Sequence, residues 1–141
     1  MNLAATRSRI RAVYAVCLLG GTITHAATLF TCGLSCNYGG VPVATRVFWT
    51  SLTFVDPIAA VLLFVRPRVG LALTLMIMLA DVANNTVIWM GIRNPGLPFN
   101  WINRIAYLLQ IAFLIFVLLT IKSAARLAPR FRESGPSTLD H

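Results

Sequence analysis

Seven side chains in this sequence pair a reactive or strongly polar type with apolar surroundings: His25, Asp56, Asp81, Asn84, Asn85, Tyr107 and Gln110. Asp81, Asn84 and Asn85 interrupt the run LALTLMIMLADVANNTVIWM at residues 71–90, and Asp56 stands directly before Pro57 in VFWTSLTFVDPIAAVLLFV at residues 47–65. An acid in bilayer hydrocarbon costs at least about 2.5 kcal/mol on insertion scales, so it is expected to face a bundle interior or a watery cavity. The spacing i, i+3, i+4 puts Asp81, Asn84 and Asn85 on one helical face. A carboxylate, an imidazole and a phenol in one place can hold a cation, relay a proton, or move a proton on an alkene or carbonyl by general acid–base catalysis. Asp56, Asp81 and His25 are therefore the candidate catalytic groups. Together with Asn84, Asn85, Tyr107 and Gln110 they are also the expected ligand-binding lining.

The elements that must position these groups follow from composition. Hydrophobic residues make up 57% of the 141 and charged residues 11%, against about a quarter charged in an average soluble domain. Mean hydropathy is +0.76. The expectation is a single all-α domain over residues 1–141, an integral membrane four-helix bundle. Its helices are read at about residues 12–31, 47–65, 69–91 and 101–121, with a basic and then disordered tail at 122–141. Each span reaches the roughly 20 residues that a bilayer requires.

The net charge of +8 reads as a topology signal rather than a nucleic-acid footprint. Arg7, Arg9 and Arg11 precede the first span, Arg66 and Arg68 separate the second and third, and Lys122, Arg126, Arg130 and Arg132 follow the fourth. Only Arg46, Arg93 and Arg104 fall on the other side. The positive-inside rule puts both termini in the cytoplasm. The first span is basic then apolar, as in a signal peptide, but its apolar run is too long for that and no clear cleavage site follows, so it reads as a retained helix. Arginine far outnumbers lysine, a compositional hint of a bacterial plasma-membrane protein.

Along the chain, residues 1–11 read as a short topogenic arm on anionic lipid. In the first span, Tyr14, Leu18, Gly21, His25 and Thr28 share a face, and Gly20 and Gly21 permit close helix approach. His25 either hydrogen-bonds a neighbouring backbone or serves the site. Cys17 reads as a small packing residue. In the loop after it, Cys32 and Cys36 are read first as a disulfide, then as free thiols, and last as metal ligands. In the second span, Trp49, Thr53, Asp56 and Ala60 share a face, and Pro57 should kink the helix and free the carbonyl of Thr53. Arg66-Pro67-Arg68 is a turn short enough to make an antiparallel hairpin. Asn100, Asn103, Tyr107, Gln110 and Leu114 form a face of the fourth span, with Arg104 at its flank. Neither a metal nor a cofactor is expected.

Depth counted along the helices, at about 1.5 Å per residue in a core of about 30 Å, places the groups in one layer. Asp81 lies ~18 Å, His25 ~20 Å, Asp56 and Gln110 ~16 Å and Tyr107 ~21 Å from the cytoplasmic edge. Interhelical hydrogen bonding alone would explain such a layer at perhaps 0.6 kcal/mol per contact. Two acids, a His, adjacent Asn residues and a Tyr exceed that need, so a pocket closed to the cytoplasm and reached from the outer side is preferred. Two carboxylates in one layer need a counter-charge or a bound proton, from Arg104, protonated His25 or a cationic ligand.

This arrangement resembles the EXPERA group, which includes sterol isomerases, the emopamil-binding protein and the sigma-2 receptor. The resemblance lies in His25 of the first span, the run FWTSLTFVD at residues 48–56 in the second, the polar residues of the third, and Tyr107 in an aliphatic fourth span. It implies a membrane bundle, often dimeric, with an intramembrane pocket for lipid-like or amine-bearing molecules. Departures are Asp56 or Asp81 where that group tends to offer Glu, and a short first loop. The function expected is binding, or isomerising, a small lipid-like or cationic molecule, with membrane lipids and a possible homodimer as partners and no nucleic acid. The alternatives are a small dimeric proton-coupled transporter and a structural helper subunit of a membrane complex.

Overall fold

The computed structural model describes residues 3–34, 36, 38, 40–90 and 101–125. Four helices follow in order: α1 (Leu3–Cys32), α2 (Val43–Val65), α3 (Pro67–Trp89) and α4 (Trp101–Ala125). All four are long and apolar enough to cross a membrane. No strand occurs among the described residues.

Several boundaries differ from the sequence expectation. α1 begins at Leu3, so Arg7, Arg9 and Arg11 belong to its first turns and not to a separate surface arm. Neither Gly nor Pro interrupts the chain before Gly20, and alanine and arginine are strong helix formers. α2 begins at Val43, just after Pro42, whose carbonyl accepts the first helical bond from Arg46 N at 3.1 Å. α4 continues through Lys122 to Ala125, where a cation complements the helix C-terminus. The expected loop at residues 93–98, Asn100 and the tail beyond residue 125 lie outside the described residues, as do the side chains of Trp89 and Asn103.

The helices form a ring, α1 on α2, α2 on α3, α3 on α4 and α4 on α1. α1 and α4 meet at the end that carries the chain termini. There Arg11 Nε and Nη2 donate to the carbonyl of Ala124 at 3.2 and 2.7 Å. Tyr14 is fully buried, its hydroxyl 3.2 Å from Val117 O and 2.7 Å from Thr120 Oγ1, its ring edge-on to Phe113 and Phe116. Leu18, Leu52, Ala59, Leu63, Leu71 and Ala124 continue the same apolar core between the helices.

α2 and α3 are separated by Arg66 alone, and Pro67 occupies the first turn of α3, where its missing N–H is not needed. The hairpin closes so tightly that a β-carbon on Gly70 would lie 2.4 Å from Leu63 N. Pro57 sits inside α2, which continues to Val65.

At the opposite end, Gly33 takes φ +77° and its amide bonds Leu29 O at 2.9 Å, the left-handed stop typical of a helix C-terminus. Cys32 and Cys36 form a disulfide. The Tyr38 ring packs against Trp49 at a tilt of 58°, ring centroids 5.2 Å apart, and so pins this loop to α2. Cys17, expected to pack, is instead exposed, because it lies off the face shared by Tyr14 and Leu18.

Candidate functional site

The polar layer is built chiefly by α2, α3 and α4. Asp56 of α2 and Asp81 of α3 are 4% and 5% exposed, and their carboxyl groups are close enough to interact electrostatically. Both are buried because each lies on the face its helix turns toward its neighbours, Asp56 with Ala60 and Asp81 with Met78 and Asn85. α1 meets the layer at Gly21, where a β-carbon would stand 3.0 Å from Asp56 Oδ2. A side chain there would crowd the carboxylate, so glycine sets the distance between α1 and α2.

Asn85 is the hub on the α3–α4 side. Its Nδ2 donates to Asp81 Oδ1 at 3.0 Å within α3, and to Gln110 Oε1 of α4 at 2.8 Å. One amide nitrogen therefore uses both its hydrogens to hold an acid and a neighbouring helix. One residue further, Thr86 Oγ1 donates to Val82 O at 2.6 Å and lies 2.6 Å from the Tyr107 hydroxyl. Because Thr86 has a single hydroxyl hydrogen, Tyr107 donates to Thr86.

On the α2–α3 side, Thr45 Oγ1 donates to Asn84 Oδ1 at 3.0 Å. That leaves Asn84 Nδ2 buried with no hydrogen-bond partner among the described residues. Thr53 Oγ1 and Asp56 Oδ1 are in the same condition, and they share one face of α2 at a spacing of three. Buried polar atoms are seldom left unpaired, since each costs about 1–3 kcal/mol. Neither acid has an ion pair among the described residues.

The structure thus brings Asp56, Asp81, Asn85 and Gln110 into one cluster; Asn84, the chain neighbour of Asn85, instead bonds Thr45 of α2, and Tyr107 bonds Thr86, the neighbour on the other side. His25 is not tied to it. It lies one turn beyond Gly21, is half-buried, and makes no hydrogen bond among the described residues. Arg104, a candidate counter-charge, is exposed.

Thr45 and Thr86 were not among the sequence candidates. Thr45 falls before the apolar run at residue 47 and joins α2 because the helix starts directly after Pro42, a recognisable helix-start signal. Thr86 lies beside the face traced by Asp81 and Asn85 and reaches Tyr107 only because α4 crosses there. No group of three His, Cys, Asp or Glu side chains is placed to hold a metal among the described residues.

A groove of about 460 Å³ lies away from this layer, at the disulfide end of α2 and its loop. The acid layer itself is buried protein, with Asp56, Asp81 and Asn85 all enclosed. Chemically, it offers an unpaired carboxylate oxygen and an unpaired amide N–H, one acceptor and one donor, between helices that present mostly aliphatic surface.

Comparison with known proteins gave no match: no family model, no curated protein and no solved structure is similar to this chain.

Proposed function

We propose that this chain crosses the membrane four times with both termini in the cytoplasm, and that its acid layer binds a small cationic or lipid-like molecule. Support for the placement is the clustering of arginines at one end, together with the meeting of Arg11 and Ala124 there. A basic rim of this kind marks the cytoplasmic side.

One observation carries the ligand reading. Asp56 is buried against Gly21 with Oδ1 unpaired, facing a second acid, and no cation is bonded to either carboxyl group among the described residues. An ammonium or similar cation would satisfy Asp56 Oδ1 and offset the repulsion between the two acids. The aliphatic surroundings favour a ligand that is otherwise apolar. Binding is preferred to isomerisation because His25, the natural proton partner, bonds neither acid. It is preferred to proton-coupled export because Tyr14, Arg11 and α4 close the terminal end.

The test uses purified full-length protein in nanodiscs and a dansyl-labelled long-chain alkylamine, with the matching uncharged alcohol as control. The amine should bind saturably and in preference to the alcohol. Asp56→Asn and Asp81→Asn should each weaken it by roughly thirtyfold or more, matching the ~2 kcal/mol lower end for truncating one partner of a buried charge pair. Circular dichroism and thermal unfolding confirm that each variant is folded. Equal binding of amine and alcohol, or full retention in both variants, would refute the proposal.

A further inference from the structure

Arg46 stands at the opposite end of α2 from the basic rim, and its Nε is buried without a hydrogen-bond partner among the described residues. It lines the groove of about 460 Å³, a volume within the roughly 300–1,000 Å³ typical of small-molecule sites. Val43, Arg46, Val47, Thr50 and Phe54 line it from α2. Their spacing of i, i+3, i+4, i+7 and i+11 makes a single helical face, which borders the one that carries Asp56 along its Arg46 and Thr50 edge. Leu34 and Cys36, from the disulfide loop, form the other wall.

Most of this lining is apolar and outward-facing. Val43, Val47, Phe54 and Leu34 are all well exposed, which suits lipid contact rather than water. Arg46 is the single charge in the lining, at the end nearest the aqueous boundary, where the N-terminal turn of α2 adds a positive helix-dipole end. From Arg46 to Phe54 the helix rises ~12 Å. The groove therefore offers an anion contact at one end and an apolar trough running from it into the bilayer. The Ser51 hydroxyl donates to Phe48 O at 2.7 Å, so its donor capacity is already used; Arg46, the one charged donor in the lining, and the Thr50 hydroxyl are left to meet an anion.

We infer that this groove is a binding site for an anionic phospholipid of the outer leaflet, with the phosphodiester on Arg46 and an acyl chain along Val47 and Phe54. The site rests on the membrane placement proposed above and not on the acid layer. The disulfide contributes by fixing the wall that carries Leu34 and Cys36.

The experiment places full-length protein in nanodiscs of phosphatidylcholine with a minor fraction of phosphatidylglycerol, and counts retained lipid by native mass spectrometry. Wild-type protein should retain phosphatidylglycerol over phosphatidylcholine by roughly fivefold, corresponding to the ~1 kcal/mol that one basic side chain gains from anionic lipid. Arg46→Gln should abolish that preference and Arg46→Lys should keep most of it. Thr50→Trp, which fills the groove without changing charge, should also abolish it, and decides the matter alone if Arg46→Gln does not fold. Inorganic phosphate should not displace the lipid, because the trough contributes to binding. Equal retention of the two lipids in wild type means non-selective boundary lipid only and overturns the site; so does preference that survives both Arg46→Gln and Thr50→Trp. Asp56→Asn should leave lipid preference unchanged, which separates failure of this site from failure of the amine site.

Discussion

Three glycines of this chain present the same substitution with three different clearances. At Gly20 an added β-carbon meets nothing within 4 Å, at Gly21 it stands 3.0 Å from Asp56 Oδ2, and at Gly70 it falls 2.4 Å from Leu63 N, 2.5 Å from Leu62 C and 2.7 Å from Leu63 Cα. Alanine gains about 1 kcal/mol over glycine in a helix interior. At Gly20 that gain should appear almost whole. At Gly70 the obstructing atoms are backbone, so α3 must move away from α2 by ~1 Å to restore ordinary carbon contact. Overpacking costs about 1–3 kcal/mol, and the upper end applies where no side chain can swing aside. Gly70→Ala should therefore be net destabilised by ~2 kcal/mol, leaving it ~3 kcal/mol below Gly20→Ala. Gly21→Ala should fall between them, because the carboxylate of Asp56 can rotate a few tenths of an ångström. The assay is reversible unfolding of the three purified proteins in the same detergent, each measured against wild type. If Gly70→Ala is as stable as Gly20→Ala, the α2–α3 hairpin does not close as described and the position of Asp81 relative to Asp56 is lost with it.

Removing the hub amide by Asn85→Leu should destabilise the fold by roughly 1 kcal/mol, about 0.6 kcal/mol for each of its two bonds. Combined with Gln110→Leu the loss should be less than additive, since both changes break the same α3–α4 bond; full additivity in a double-mutant cycle would contradict the Asn85–Gln110 contact. Tyr14→Phe keeps the edge-on contacts with Phe113 and Phe116 but deletes the hydroxyl, so it should cost about 0.6–1.7 kcal/mol in thermal unfolding. An unchanged midpoint would mean that the α1–α4 seam is held by packing alone.

Much of the fold is written in local pattern. The apolar runs that end at Val65 and restart at Val69, on either side of Arg66-Pro67-Arg68, mark a hairpin, and the 3.6-residue period marks the inward faces: Tyr14, Leu18 and Gly21 on α1, Asp56 and Ala60 on α2. These are legible because a helix repeats its geometry wherever it forms. The helix ends are less plainly encoded. Basic residues 7–11 look like a surface arm by charge, yet they join α1 because backbone bonding continues through any sequence without a breaker and Arg11 finds a carbonyl on α4. Cys17 suits packing by residue type, yet its position on the helix leaves it exposed.

For the candidate site, residue order alone shows which polar groups lie in apolar helices, which of them share a face, and that Asp56, Asp81 and Gln110 stand at similar depth. Tertiary structure decided the partners. Asn85 rather than His25 links the layer, Thr86 receives Tyr107, Thr45 takes half of Asn84, and Asp56 is left with an unpaired oxygen. The reason is that depth along a helix follows from counting, whereas the rotation and approach of one helix on another are set by contacts of a few tenths of an ångström. Gly21 against Asp56 and Gly70 against Leu63 are two such contacts, and no spacing within a single helix encodes them.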